Sequence, residues 1–280
     1  MPSQKGLYNS KKIYSDYAQR NYLEKPEIVI LDELFCQLAS MDMLDMGVGG
    51  GRTTSYFAPI TKSYIGADYA SQMVKVCREK FKDKYKFIES DVRSMDEFED
   101  NSFDFVLFSF NGIDSFGHQD RLKALKEIRR VLKNNGYFCF SSHNLNWKNL
   151  HNLFSFKLND YNSKNMYGIT SSIKRQTYLF KIKYRAFRLA LLNKSFKMAD
   201  LIARLREKDY GHIYDNSLNG KAKIYYISYH EQLRQLERAG FIEIFSYSRN
   251  GLKITDEEEL NNGGWIYYLC KAEKKSKDAY

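Results

Sequence analysis

The chain reads as a doubly wound α/β fold, and three observations predict it. Short apolar runs recur at Met41–Met46, Ser63–Asp68, Tyr85–Val92, Phe103–Asn111 and Tyr137–Ser142, with helix-patterned segments between them. The first run ends in Leu44-Asp45-Met46-Gly47-Val48-Gly49-Gly50-Gly51-Arg52, a glycine loop with an acid two residues ahead of it. Glycine lets a backbone turn sharply and approach a ligand with no Cβ in the way. A strand that ends in such a loop and then opens a helix is how doubly wound sheets hold nucleotide-like ligands. The fourth run is almost continuously apolar, as a central parallel strand buried on both faces requires.

Each element can be justified in turn. Pro26 opens a helix at its favoured first-turn position, with Ile28, Leu31, Leu34, Phe35 and Leu38 on one face. It leads into the first strand and the glycine loop. A dinucleotide fingerprint G-x-G-x-x-G fails here, because its third glycine would fall on Arg52 or on Thr54. The second run ends in Asp68 and the third carries Asp91, so three acids stand at three successive strand ends. A carboxylate at position 68 can accept from both hydroxyls of a ribose, although dinucleotide enzymes also place an acid there. A helix N-cap is the structural alternative for Asp91. After the fourth strand, Leu122, Leu125, Ile128, Val131 and Leu132 keep helical spacing. Lys133-Asn134-Asn135-Gly136 then stops that helix with residues that tolerate a left-handed backbone.

The G-x-G-x-G loop behind Asp45, with Asp68, Asp91 and the Phe103–Asn111 run in order, resembles the class I S-adenosylmethionine (SAM)-dependent methyltransferases over residues 14–143 and 228–271. That resemblance implies a seven-stranded, mostly parallel sheet with an antiparallel last strand, and a mainly helical insertion between strands five and six. The domains expected are a cofactor lid at 1–25, a SAM-binding domain at 26–143 and 225–272, a basic insertion at 144–224 and a disordered tail at 273–280. The resemblance implies a SAM cradle of Asp45, Gly47, Gly49, Gly51, Asp68, Tyr69, Met73, Asp91, Val92, Ser109 and Phe110. Arg52 and Asn111 flank its methionine end, and Tyr17, within Tyr14-Ser15-Asp16-Tyr17-Ala18, folds over it. A solvent-exposed N-terminal helix is the alternative for that leader. The turn where the family has a proline and two glycines here has Asn134 and Asn135 in the first two positions.

Acceptor chemistry is expected at the carboxyl ends of strands four and five. His143, directly after the fifth strand, and Asp114 are the catalytic candidates, His143 as a general base or acceptor-orienting group. A histidine bonded to a loop carbonyl and an acid capping a turn are the plain alternatives. His118 precedes a helix, His230 sits inside the capping box Ser228-Tyr229-His230-Glu231, and His151 and His212 lie in the insertion. No metal site is expected, since the four cysteines (36, 77, 139 and 270) lie far apart with no C-x-x-C.

The 280 residues carry a net charge of +10, and the charge is concentrated. Residues 174–208 hold eleven Lys or Arg against Asp200 and Glu207, which leaves the remainder of the chain near neutral. This insertion can be read as a lid over an anionic metabolite such as a nucleotide-linked sugar, as an amphipathic helix on an anionic membrane, as an RNA-facing patch, or as a solvated basic face. No Asn/Asp-Pro-Pro-Tyr/Phe run follows strand four and no Pro-Cys nucleophile exists, which disfavours adenine amino and cytosine C5 acceptors. The expectation is methyl transfer to an O or N atom of a small-molecule or glycan acceptor. An RNA methyltransferase and a non-catalytic SAM-binding protein are the alternatives. The polar start Met1–Lys12 and the absence of any apolar run of roughly 18 residues give the expectation of a cytoplasmic protein, membrane-peripheral if the insertion docks on lipid.

Overall fold

The strands form where apolar residues alternate onto two covered faces. In a computed structural model, which describes residues 4–154 and 172–273, β1 (Asp42–Met46) pairs in parallel with β2 (Ser63–Asp68) and β4 (Phe103–Phe108). The strand β3 (Lys86–Glu89) lies outside β2, and β5 (Leu132–Asn144) lies beyond β4. Met43, Phe105, Leu107 and Cys139 pack on one face, against α3 (Lys25–Leu38) and α5 (Ser71–Phe81). Leu44, Val106, Phe108, Phe138 and Phe140 pack on the other, together with the buried residues of α6 (His118–Val131). Coverage on both faces makes the sheet doubly wound, as the sequence predicts.

Two more strands complete the expected set. The last strand, β9 (Trp265–Ala272), runs antiparallel along β5 from Tyr137 to His143, and β8 (Phe241–Tyr247) pairs outside it. The sheet nevertheless has nine strands rather than seven. The additional pair is an antiparallel ribbon, β6 (Tyr210–Tyr214) and β7 (Lys223–Ile227). The cause lies in β5, expected over Tyr137–Ser142 but extending at both ends. Helix α6 stops at Val131, Leu132 turns extended, and the left-handed residue is Asn135 inside a bulged stretch of strand. At its far end β5 outruns β4, whose pairing ends at Phe140, and the exposed edge at His143 and Asn144 takes up Tyr226 and Ile227 of β7. The boundary expected at 224/225 falls inside β7.

The insertion has its own core of Leu145, Leu150, Leu189, Met198, Ile202, Ile213, Ile224 and Tyr226. Its helical body is two helices, α7 (Ser172–Leu192) and α8 (Met198–Arg206). Asn193, at the break, donates to the carbonyls of Leu189 and Tyr214 and accepts from the Tyr214 amide, which ties the helices to β6. After β7, Ser228 caps α9 (Tyr229–Arg238) by accepting from the Glu231 amide. The polar start of the insertion falls largely, and the charged tail apart from Glu273 wholly, outside the described residues. Glu273 itself is anchored, its amide donating to the carbonyl of Gly240 at 2.8 Å. No helix among the described residues is long and apolar enough to cross a membrane.

The leader folds as α1 (Gln4–Tyr8) and α2 (Lys11–Ala18) and lies on the glycine loop. A Cβ on Gly50 would meet the backbone carbon and oxygen of Tyr17 at 2.4 Å, so only glycine allows this approach. Asn9 supplies what Ala70 cannot: its side chain accepts from the Gln72 amide in the first turn of α5. Substituting Gly50→Val is therefore expected to push α2 off the loop while the sheet stays intact. Limited proteolysis should then cut between residues 9 and 20 faster than in the parent, with an unchanged far-ultraviolet circular dichroism spectrum.

Candidate functional site

A cleft opens between the leader and the carboxyl ends of β1, β2 and β4. Of the residues expected to hold a cofactor, Tyr17, Gly47, Gly49, Asp68, Tyr69, Met73, Val92, Ser109 and Phe110 line it. Tyr8, Met46, Phe108, Gly112, Ser115 and Phe116 line it as well. Of these, Tyr8 carried a signal, since it stands in the tyrosine-rich leader. The others depend on how the turn after β4 folds back.

Local geometry explains the shape. Gly47 has φ +66°, and a Cβ there would meet the Phe108 ring at 2.6 Å. The Asp68 carboxylate accepts from the amides of Gly49 at 3.0 Å and Ala70 at 2.8 Å, fixing loop to strand end. Burial pushes its pKa up to about 6, against the lowering effect of those two amides. Each oxygen still has acceptor capacity facing the cleft. Tyr8, Tyr17 and Tyr69 meet edge to face above it, and the Tyr69 hydroxyl is buried without a partner among the described residues. A glycine-floored cleft lined by the Asp68 carboxylate and an orphaned hydroxyl fits a ribose-bearing cofactor of the SAM type.

Other expected cradle residues stand behind the lining. Asp45 is buried beneath the loop, where its Oδ2 accepts from Thr53 Oγ1 at 2.5 Å and from the Tyr64 hydroxyl at 2.7 Å. Burial raises it to about 6 despite those donors. Gly51 has φ +72° and packs under the Phe81 ring. Arg52 makes a fork to Glu27 with both nitrogens at 2.6 Å, and also donates to the Tyr22 carbonyl and Ser109 Oγ. Asp91 is held by Arg93 at 2.6 Å, and that hydrogen bond lowers its pKa; its neighbour Val92 reaches the cleft. Glu27, which sequence reasoning did not single out, is 1% exposed, accepts from Ser109 Oγ, and closes the capping box of α3 with Glu24. Its signal was the Glu24-Lys25-Pro26-Glu27 spacing.

Beyond the cleft, Phe110 and Asn111 are consecutive left-handed residues, at φ 57° each. Asparagine tolerates that conformation, whereas the bulky Phe110 does not, so the turn after β4 holds backbone strain at Phe110. The short 3₁₀ turn Gly112–Ser115 that follows carries Asp114. Asp114 accepts from the His143 backbone amide and from His143 Nδ1, both at 2.7 Å, from Ser142 Oγ at 2.7 Å and from Arg121 at 2.6 Å. Donation of Nδ1–H to a carboxylate leaves the lone pair on Nε2. That Nε2 lies 3.4 Å from Asn111 Nδ2, between the rings of Tyr226 and Trp265. The Asn111 Oδ1 is buried and unpartnered among the described residues. Three of the other four histidines are engaged elsewhere. His118 stacks on Tyr210 at 4.0 Å and bonds the Tyr225 hydroxyl, His212 contacts the Phe116 carbonyl, and His230 pairs with Glu257.

Comparison with known proteins agrees with this geometry. Residues 44–140 match the family model described as a methyltransferase domain. The chain is 32% identical over 105 residues to the uncharacterized methyltransferase YcgJ of Bacillus subtilis, which is 36% of this chain and 40% of that one. It is 37% identical over 101 residues to the ubiquinone/menaquinone biosynthesis C-methyltransferase UbiE of Citrifermentans bemidjiense, or 34% and 42% of the two chains. The matched stretch thus spans about two-fifths of each relative's length. Among solved structures, a SAM-dependent methyltransferase from Clostridium acetobutylicum superposes with a TM-score of 0.57 at 14% identity, covering 94% of this chain and 97% of that one. One from Thermotoga maritima, titled a possible histamine N-methyltransferase, gives 0.52 at 18% identity, covering 96% and 98%. These structures share the fold of this chain, and residues 44–140 match a methyltransferase domain.

Proposed function

We propose that the chain transfers a methyl group from SAM to an oxygen or nitrogen atom of a small-molecule or glycan acceptor, with Asp114 and His143 as its base. The observation that carries this reading is the buried pair of Asp114, in the turn after β4, and His143, near the end of β5, with Nε2 turned away from the carboxylate. Bound SAM supplies an electrophilic methyl group on a sulfonium. Asp68 accepts from the ribose hydroxyls, Gly47 and Gly49 keep the backbone clear of the ligand, and Tyr17 covers it. His143 takes a proton from the acceptor at Nε2, and Asp114 holds the ring in the tautomer that leaves that nitrogen free. Arg121 and Ser142 fix Asp114 in turn. Asn111, whose Nδ2 lies 3.4 Å from Nε2, would yield that nitrogen to the acceptor, and its unpartnered Oδ1 can accept from an acceptor hydroxyl.

A carbon acceptor is the second reading. The same base would serve an acidified C–H, and the Citrifermentans relative is named for C-methyl transfer. Incubation with labelled SAM and fractionated lysate, followed by identification of the labelled atom, separates the two.

Three outcomes are expected. Asp68→Asn should weaken binding of S-adenosylhomocysteine (SAH) at least about tenfold by isothermal titration, since hydrogen bonds to a charged acceptor are worth roughly 1.5–3 kcal/mol each. Unchanged affinity would remove Asp68 from the cradle. His143→Gln should lower kcat by about 10²–10⁴, with SAH affinity kept.

The third outcome concerns pH. The folded pKa of Asp68 lies above its ordinary value, so its contribution favours the unliganded fold at low pH and is lost as pH rises through about 6. Ribose hydroxyls donate to the ionised form, so SAH affinity should rise over the same window. Titrations at pH 5 and pH 7.5 that gave equal affinity would contradict this.

A further inference from the structure

The outward face of α7 is apolar where a surface helix is ordinarily polar. Phe180 is 70% exposed, Tyr184 60%, Phe187 48% and Leu191 51%. At 3.6 residues per turn these four fall within about 60° of one another around the helix. The opposite face carries Ala186, Leu189 and Ala190, all buried, so the helix is seated and its ridge points away from the core. Phe196, 61% exposed, extends the ridge past the helix end and meets the Phe187 ring at 6.0 Å. A contiguous exposed patch of this kind marks an interaction surface.

Charge identifies the occupant. Lys181 and Lys183 are exposed and flank the ridge on either side. The surrounding segment 174–208 holds nearly all of the net positive charge of the chain. A second copy docked on this ridge would bring two such segments together. RNA would meet the lysines only beside an apolar crest. An anionic bilayer satisfies both features, with the crest entering the acyl boundary and the lysines reaching the headgroups. We infer that the α7 ridge docks the chain peripherally on anionic phospholipid membranes. Docking goes beyond the methyltransferase reading and does not depend on it. One consequence does rest on that reading: the docked module is the one whose β7 flanks His143, so the acceptor class it serves is lipid-borne.

Flotation of the full chain with phosphatidylcholine vesicles, with and without about 30 mol% phosphatidylglycerol, tests the inference. Binding is expected only with phosphatidylglycerol and is expected to fall in high salt. Phe180→Ser combined with Leu191→Ser should lower the partition coefficient about tenfold or more, and Lys181→Glu with Lys183→Glu should abolish the lipid preference. Melting temperature and SAH affinity should be unchanged in both variants, which keeps folding and cofactor binding as separate readouts. Absence of flotation, flotation indifferent to the ridge substitutions, a dimer that those substitutions dissolve, or RNA binding without vesicle binding would each overturn it.

Discussion

The buried ion pair between Arg52 and Glu27 is the constraint on which the site depends. It joins α3 to the glycine loop, and through Ser109 and Tyr267 it reaches the ends of β4 and β9. Four elements distant in sequence thereby share one desolvated junction. Such a pair adds little net stability over an apolar equivalent, but removing one partner strands a buried charge at a cost of about 3–5 kcal/mol. Its value is positional, since the loop cannot shift toward the cleft without uncovering Glu27. That is why an arginine stands where a dinucleotide fingerprint would need glycine.

A second junction of the same kind serves the acceptor side. Arg121, fully buried, holds Asp114 and reaches Ser142, Gln232 and Gln235, so β5, α6 and α9 converge on one carboxylate. The two junctions differ in what they leave open. Around Arg52 the charges are matched, whereas around Asp114 one imidazole nitrogen is engaged only by the Asn111 amide, at 3.4 Å. A rigid cofactor floor beside a poised base is the arrangement expected of a group-transfer site whose cofactor is common and whose acceptor is particular.

Much of this was legible in the sequence because parallel strands write themselves as apolar runs and their ends as glycine or acid. Asp68, Gly47 and Gly49, which line the cleft, stand at such ends, and Asp114 and His143 were legible as separate candidates, though not as partners. What escaped had no local signature. The strand β6 reads as part of a basic helical region, because Tyr210–Tyr214 becomes a strand only when β7 offers an edge, and β7 pairs with the sheet only because β5 overruns β4. Asp45 and Asp91 stand where the pattern expects ligand contacts, yet Thr53, Tyr64 and Arg93 engage them, and side-chain pairing across the fold is not written in spacing. Glu27 lay in a visible capping box whose second partner, Arg52, was 25 residues away.

The helix that covers the glycine loop contributes no buried residue of its own. It is held by one backbone contact at Gly50, a tyrosine cluster, and Lys80 reaching the carbonyls of Gly50 and Arg20. A segment so lightly anchored opens at far lower free energy than the sheet beneath it. On the proposed reading, lifting that segment uncovers the cofactor while the sheet stays folded, so exchange of the spent cofactor is a local opening of the leader and not a rearrangement of the domain.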